Sequence, residues 1–127
     1  MAKAKVRVLI VENEAIISMD LRYRLETLGY CVPDEIRSGE EVVEAASRLR
    51  PDVVLIDVWL SGLMNGVAAA DEIRRRFNIP VVYLTEHVDE DASGRAKMTE
   101  LSGYVLKPFN DAGLRAGIEL AIHSTGR

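Results

Sequence analysis

Four largely apolar runs in the sequence are each followed at once by polar residues of a chemically useful type. Glu12-Asn13 follows Val6 to Val11, Asp57 follows Val53 to Ile56, Thr85-Glu86 follows Val81 to Leu84, and Lys107-Pro108 follows Tyr104 to Leu106. Carboxylate and amide oxygens with room for water suit Mg²⁺, which takes one or two protein carboxylates and completes its shell with water and phosphate oxygens. A carboxylate can also attack phosphorus to form an acyl phosphate, with a cation and a lysine neutralising the charge on the transferred group. Asp57 needs no general base for this, because a carboxylate is already ionised. The inventory points to phosphoryl transfer onto Asp57.

These groups can cooperate only if the fold brings the run ends to one edge. The runs are short and rich in β-branched residues, and a weaker fifth lies near Tyr30 to Val32, so all five read as buried strands. Segments with helical spacing separate them. The first carries Ile17, Leu21, Leu25 and Leu28 and closes at Gly29. The second opens with Ser38 and Glu41 in a capping box, continues through Val42, Ala45, Ala46 and Leu49, and stops at Pro51. A third uses Ala69, Ile73 and Phe77 before Pro80; a weaker fourth spans about Asp89 to Leu101 with Gly94 inside it; a fifth follows Asn110 with Leu114, Ile118, Ala121 and Ile122. Strand alternating with helix predicts a doubly wound α/β fold, with a five-stranded parallel sheet covered on both faces as the middle of three layers. Ligands of such sheets bind outside the carboxyl ends of the strands, where the polar residues fall.

Composition narrows the function. At 127 residues, 48% of them hydrophobic and 28% charged, the chain can bury a core without disulfides or a structural metal, and Cys31 as the only cysteine leaves neither a disulfide nor a cysteine-rich metal site. The net charge of −4 gives no general attraction to nucleic acid, and Arg74-Arg75-Arg76 falls late in a helical pattern, where cations favour the helix C-terminus. No apolar run approaches the roughly 20 residues of a membrane span, and no signal-peptide pattern opens the chain, so a cytoplasmic location is expected. One domain over residues 5 to 123 is expected, with no output domain.

The ordered set Val8-Leu9-Ile10-Val11-Glu12-Asn13-Glu14, Asp52-Val53-Val54-Leu55-Ile56-Asp57, Val81-Val82-Tyr83-Leu84-Thr85 and Gly103-Tyr104-Val105-Leu106-Lys107-Pro108-Phe109 resembles the receiver domains of response regulators over nearly the whole chain. The resemblance implies a flavodoxin-like (βα)5 fold and a phosphorelay switch rather than a turnover enzyme. It implies that Asp57 accepts a phosphoryl group from a sensor histidine kinase or phosphotransfer protein, and that Mg²⁺ is held by Glu12, Asn13, Asp57 and the Trp59 backbone carbonyl. Lys107 would contact the phosphoryl group, Thr85 would move to bond it, and Tyr104 would change rotamer in response. The changed surface, formed by the fourth helical segment, the fifth strand and the fifth helical segment, would bind a downstream protein or a second copy. A cis Lys107-Pro108 peptide is also implied, and X-Pro bonds carry only a small cis penalty.

Two positions depart from the family pattern. Asn13 stands where a second acidic residue is usual, which should weaken Mg²⁺ binding; its other reading is a cap of the first helix. Glu86 stands where a small residue usually follows the switch hydroxyl, and either obstructs the site, restores the charge missing at Asn13, or is simply solvated. The stretch Ser61 to Gly66 adds about one residue to the usual loop and bears on access. Trp59 is read as a shield of the acyl phosphate from water, and His87 as a loop residue.

Three other functions compete. An aspartate-nucleophile phosphatase would want a second Asp where Trp59 stands. A flavin binder would want a phosphate-cradling loop where Glu12-Asn13-Glu14 stands, and these carboxylates repel phosphate. A receiver-like module that binds partners without phosphorylation is favoured by Asn13 and Glu86.

Overall fold

The computed structural model describes residues 5–58, 60, 65–85 and 103–123. Five strands, β1 (Val8–Val11), β2 (Glu35–Ile36), β3 (Val53–Asp57), β4 (Val81–Thr85) and β5 (Gly103–Leu106), pair in the order β2-β1-β3-β4-β5. Every pairing is parallel. Between and after them lie helices α1 (Ala15–Thr27), α2 (Gly39–Leu49), α3 (Gly66–Phe77) and α4 (Asp111–His123). Helix α4 is the fifth helical segment of the sequence. The fourth, at Asp89 to Leu101, lies outside the described residues.

A parallel sheet needs helices on both faces, and side-chain alternation along the strands supplies two apolar surfaces. Leu9, Val11, Val54, Ile56, Val81 and Tyr83 form one core with Val42, Ala45 and Ala46 of α2 and Ala69 and Ile73 of α3. Val8, Ile10, Val53, Leu55, Val82 and Leu84 form the other with Leu21 and Leu25 of α1 and Leu114 and Ile118 of α4. The fold is therefore doubly wound, with α2 and α3 on one face and α1 and α4 on the other.

The punctuation follows the residue types. The Ser38 side chain accepts from the Glu41 amide at the start of α2. Asn65 accepts from Ala68, and Asn110 from Gly113 at 2.7 Å, opening α3 and α4 in the same way. Gly29, with φ of 100°, takes the left-handed conformation that turns the chain out of α1.

The second strand departs from expectation. The Tyr30 to Val32 segment contributes only an isolated bridge between Cys31 and Arg7, and the paired strand is Glu35–Ile36. Tyr30 and Val32 are buried, so their apolar character reports packing against α1 and α4 rather than strand pairing. Pro33, which has no amide hydrogen, falls between the bridge and the strand.

Helix α3 begins against the strand end that carries Asp57. The Gly66 amide donates to the Val58 carbonyl at 3.2 Å. A Cβ on Gly66 would lie 2.2 Å from the Asp57 backbone oxygen and 2.9 Å from Val58 Cα. Both obstacles are backbone, so neither can rotate away. In an unconstrained helix Gly to Ala stabilises by up to about 1 kcal/mol, but overpacking here should cost about 1–3 kcal/mol or more. Gly66→Ala is therefore expected to lower the urea midpoint; an unchanged or higher midpoint would show that α3 does not press on the Asp57 peptide.

Candidate functional site

The sheet register carries the polar residues to one edge. Val11 pairs with Ile56, so Glu12 and Asp57 leave neighbouring strands β1 and β3 at the same level. Asp57 pairs with Leu84, one residue before Thr85, and Thr85 pairs with Leu106, one residue before Lys107. Backbone bonds fix the strand ends: the Glu12 amide to Ile36 O at 2.9 Å, Val58 to Leu84 O at 3.2 Å, and Lys107 to Thr85 O at 2.9 Å. Glu12, Asp57 and Lys107 thus come from three strands and meet because the strands end in step, and Thr85 ends β4 at the same edge of the sheet.

They are held in little water. Glu12 is fully buried, Asp57 is 5% exposed and Thr85 is 1% exposed. Lys107 Nζ stands 3.5 Å from Asp57 Oδ1 and 3.6 Å from Glu12 Oε1, between the two carboxylates. The Glu14 amide donates to Glu12 Oε2 at 3.2 Å. Glu12 Oε1 and Thr85 Oγ1 are buried with no hydrogen-bond partner among the described residues. The Lys107-Pro108 peptide is cis.

Two ionised carboxylates and one ammonium leave a formal charge of −1 in a buried place. Burial is the first cause that pushes the Glu12 carboxyl up from 4.5 to about 7, and the neighbouring Asp57 charge is the second; Lys107 and the Glu14 amide pull it back only in part. The site therefore favours one more positive charge, a proton or a cation. No group of three or more His, Cys, Asp and Glu side chains gathers among the described residues. A cation here would have Glu12 and Asp57 as its carboxylates and would need further oxygens from backbone, amide, water or phosphate, a donor set that suits Mg²⁺.

The remaining residues singled out from the sequence fall as follows. Asn13 is exposed at the rim, next to Glu12. The N-cap position of α1 is Glu14, which makes no side-chain capping bond, so the reading of Asn13 as that helix's cap is not what the backbone shows. Tyr104 is 41% exposed on β5 and turned away from the core. Trp59, Glu86 and His87 lie outside the described residues. The sequence places Asn65-Gly66 only at the end of a loop, and its seating of the Asp57 peptide has no signal there, since a close backbone approach leaves no periodic pattern.

A parallel sheet with two acidic residues, a lysine and a hydroxyl at its carboxyl edge defines a doubly wound α/β domain with a polar site at the strand ends. The chain belongs to the response regulator receiver domain family, whose model matches residues 8–119. The transcriptional regulatory protein PdtaR of Mycobacterium tuberculosis is 40% identical over 116 residues, covering 91% of this chain and 56% of PdtaR. Among solved structures, the signal receiver domain of a modulated diguanylate cyclase from Desulfovibrio desulfuricans is 38% identical with a TM-score of 0.87, covering 96% of this chain and 97% of that one. The receiver domain of the sensor histidine kinase PA1611 from Pseudomonas aeruginosa, solved with a magnesium ion coordinated in its active-site cleft, is 28% identical with a TM-score of 0.82, covering 95% of this chain and all of that one. The chain spans about half the length of the curated relatives it matches. Among the described residues, no helix is long and apolar enough to cross a membrane.

The raised Glu12 carboxyl sets a pH dependence. An acid whose folded pKa exceeds its unfolded value binds its proton more tightly when folded, so its contribution is full below 4.5 and is lost as pH rises through about 7. In chelator, urea midpoints should fall across this window, and Glu12→Gln should flatten that fall. An equally steep fall in Glu12→Gln would mean that another group is responsible.

Proposed function

We propose that this receiver is the phosphoacceptor of a two-component relay and that Asp57 takes the phosphoryl group from the phosphohistidine of a sensor kinase or phosphotransfer protein. The observation that carries this reading is the convergence of buried Asp57 and Glu12 with part-buried Lys107 in one ion-pair cluster. An Asp57 carboxylate oxygen attacks phosphorus, the phosphorus–nitrogen bond breaks, and the imidazole leaves with the bonding electron pair. Lys107 neutralises the non-bridging oxygens as they arrive. Mg²⁺ would be held by Glu12, Asp57, Asn13 and the Trp59 carbonyl, and when bound it supplies the positive charge that phosphoryl transfer between two anionic groups needs. The chain is its partner's substrate and not a turnover enzyme, and it would act in the cytoplasm.

Thr85 and Tyr104 are proposed as the switch. Buried Thr85 Oγ1 offers an O–H to a phosphoryl oxygen on Asp57, and movement of Thr85 would free space into which the exposed Tyr104 ring can turn. Tyr104, Leu106, Pro108 and Phe109 line a cleft of about 280 Å³ beside β5. Its shape would change with that turn, which makes it the proposed face for a downstream protein or a second copy. On the other side of the site, Ile16, Met19 and Tyr23 of α1 are 81%, 64% and 71% exposed. They follow Glu12-Asn13 by one to three helical turns, where a phosphodonor protein reaching Asp57 would rest.

A second reading is a receiver that binds partners without phosphorylation. It is favoured by the neutral Asn13 at the rim and by the tendency of Glu12 to hold a proton near neutral pH. Intact mass after incubation with Mg²⁺ and acetyl phosphate separates the two. The wild type should gain one phosphoryl group, Asp57→Ala none, and Asn13→Asp should gain it faster. No gain in the wild type would favour the second reading. Tyr23→Glu should leave labelling by acetyl phosphate intact while slowing transfer from a phosphodonor protein several-fold; equal slowing of both would place Tyr23 outside docking.

A further inference from the structure

Lys107 sits at the end of β5, and only Pro108, Phe109 and Asn110 separate it from α4. Its Nζ must reach between Glu12 and Asp57, so the backbone of this short link sets where the charge falls. One end of the link is fixed to the sheet by the Lys107 amide on Thr85 O, and the Asn110 side chain caps α4 at the other. A third hold comes from a different element. Arg24, in the last turn of α1, donates Nε to Asp20 at 3.1 Å and an Nη to Asp111 Oδ1 at 2.9 Å, while its guanidinium lies 5.6 Å from the centre of the Phe109 ring. Phe109 is itself partly buried against the core under α1 and α4.

We infer that Arg24 is a positioning residue for Lys107: it clamps the link between β5 and α4 to α1, the helix that follows Glu12, and so registers the lysine against both carboxylates. The inference rests on the phosphoacceptor reading for its consequence, but its geometry does not. Three features favour positioning over bulk stability. The bridge is about one-third exposed at Arg24 and half exposed at Asp111, where ion pairs add little to global stability. Asp20 pre-orients the guanidinium from within α1. The two groups grasped, Phe109 and Asp111, flank the Asn110 cap two and four residues after Lys107. Displacement of a charge at a reacting centre by a fraction of its reach costs rate far beyond its effect on folding.

The test has two arms. In the first, surface lysines of the intact chain are acetylated under limiting reagent and read by peptide mass spectrometry, with exposed Lys5 as internal reference. Arg24→Gln and Asp111→Asn should each raise the labelling of Lys107 relative to Lys5 several-fold with a urea midpoint close to wild type; an unchanged ratio in both overturns the inference. In the second, phosphorylation by acetyl phosphate is timed for Arg24→Gln, Lys107→Ala and the double variant. Arg24→Gln should slow the reaction several-fold in the presence of Lys107 and have no further effect in its absence, because the clamp acts through the lysine. Equal slowing in both backgrounds overturns it. Should the wild type take no phosphoryl group, the phosphoacceptor reading fails, and the labelling ratio alone decides whether Arg24 holds Lys107.

Discussion

Two carboxylates at neighbouring strand ends, both almost wholly removed from water, share one ammonium. Unit charges about 4 Å apart interact by on the order of 4 kcal/mol at an effective dielectric near 20, so one lysine attracts each carboxylate strongly yet cannot offset their repulsion and burial together. Burial first, and the neighbouring Asp57 charge second, raise the Glu12 carboxyl to about 7. A fold that retains such a pair keeps a standing affinity for added positive charge. That property is what the rest of the architecture serves.

The sheet serves it by ending its strands in register. A one-residue slip between β1 and β3 would turn either Glu12 or Asp57 to the opposite face of the sheet, because side chains alternate along a strand. The register is held by apolar packing on both faces, where Leu9, Val54 and Tyr83 point one way and Ile10, Leu55 and Leu84 the other. The core is therefore also the device that aligns the charges. Helix α3 adds a second constraint, since the absence of a side chain at Gly66 lets it start in contact with the Asp57 peptide.

The rim of the site divides into two surfaces of different character. On α1, large apolar side chains stand in water within a few residues of Glu12. On β5, Tyr104 and Leu106 border a cleft that adjoins the loop carrying Lys107. Scattered exposed apolar residues are ordinary on protein surfaces, whereas neighbouring ones grouped on one surface are the kind that contact partners. Arg24 joins the two sides, because its helix belongs to the first surface and its partners Phe109 and Asp111 to the second.

The linear pattern was sufficient for the order of the described strands and helices, the doubly wound sheet and the placing of Glu12, Asp57, Thr85 and Lys107 at one sheet edge, because buried parallel strands are continuous apolar runs and their carboxyl ends meet by topology. It misplaced the second strand, since the burial of Tyr30 and Val32 looks the same in sequence whether it comes from pairing or from packing under helices. It also offered Asn13 as a helix cap where the backbone gives that position to Glu14. Only the tertiary structure decided that Lys107 lies between both carboxylates, that burial and the Asp57 charge raise the Glu12 carboxyl, that Gly66 seats the Asp57 peptide, and that Arg24 reaches across 87 residues of sequence to Asp111. These depend on distances between elements, and such distances follow from how the whole core packs rather than from any local spacing of residues.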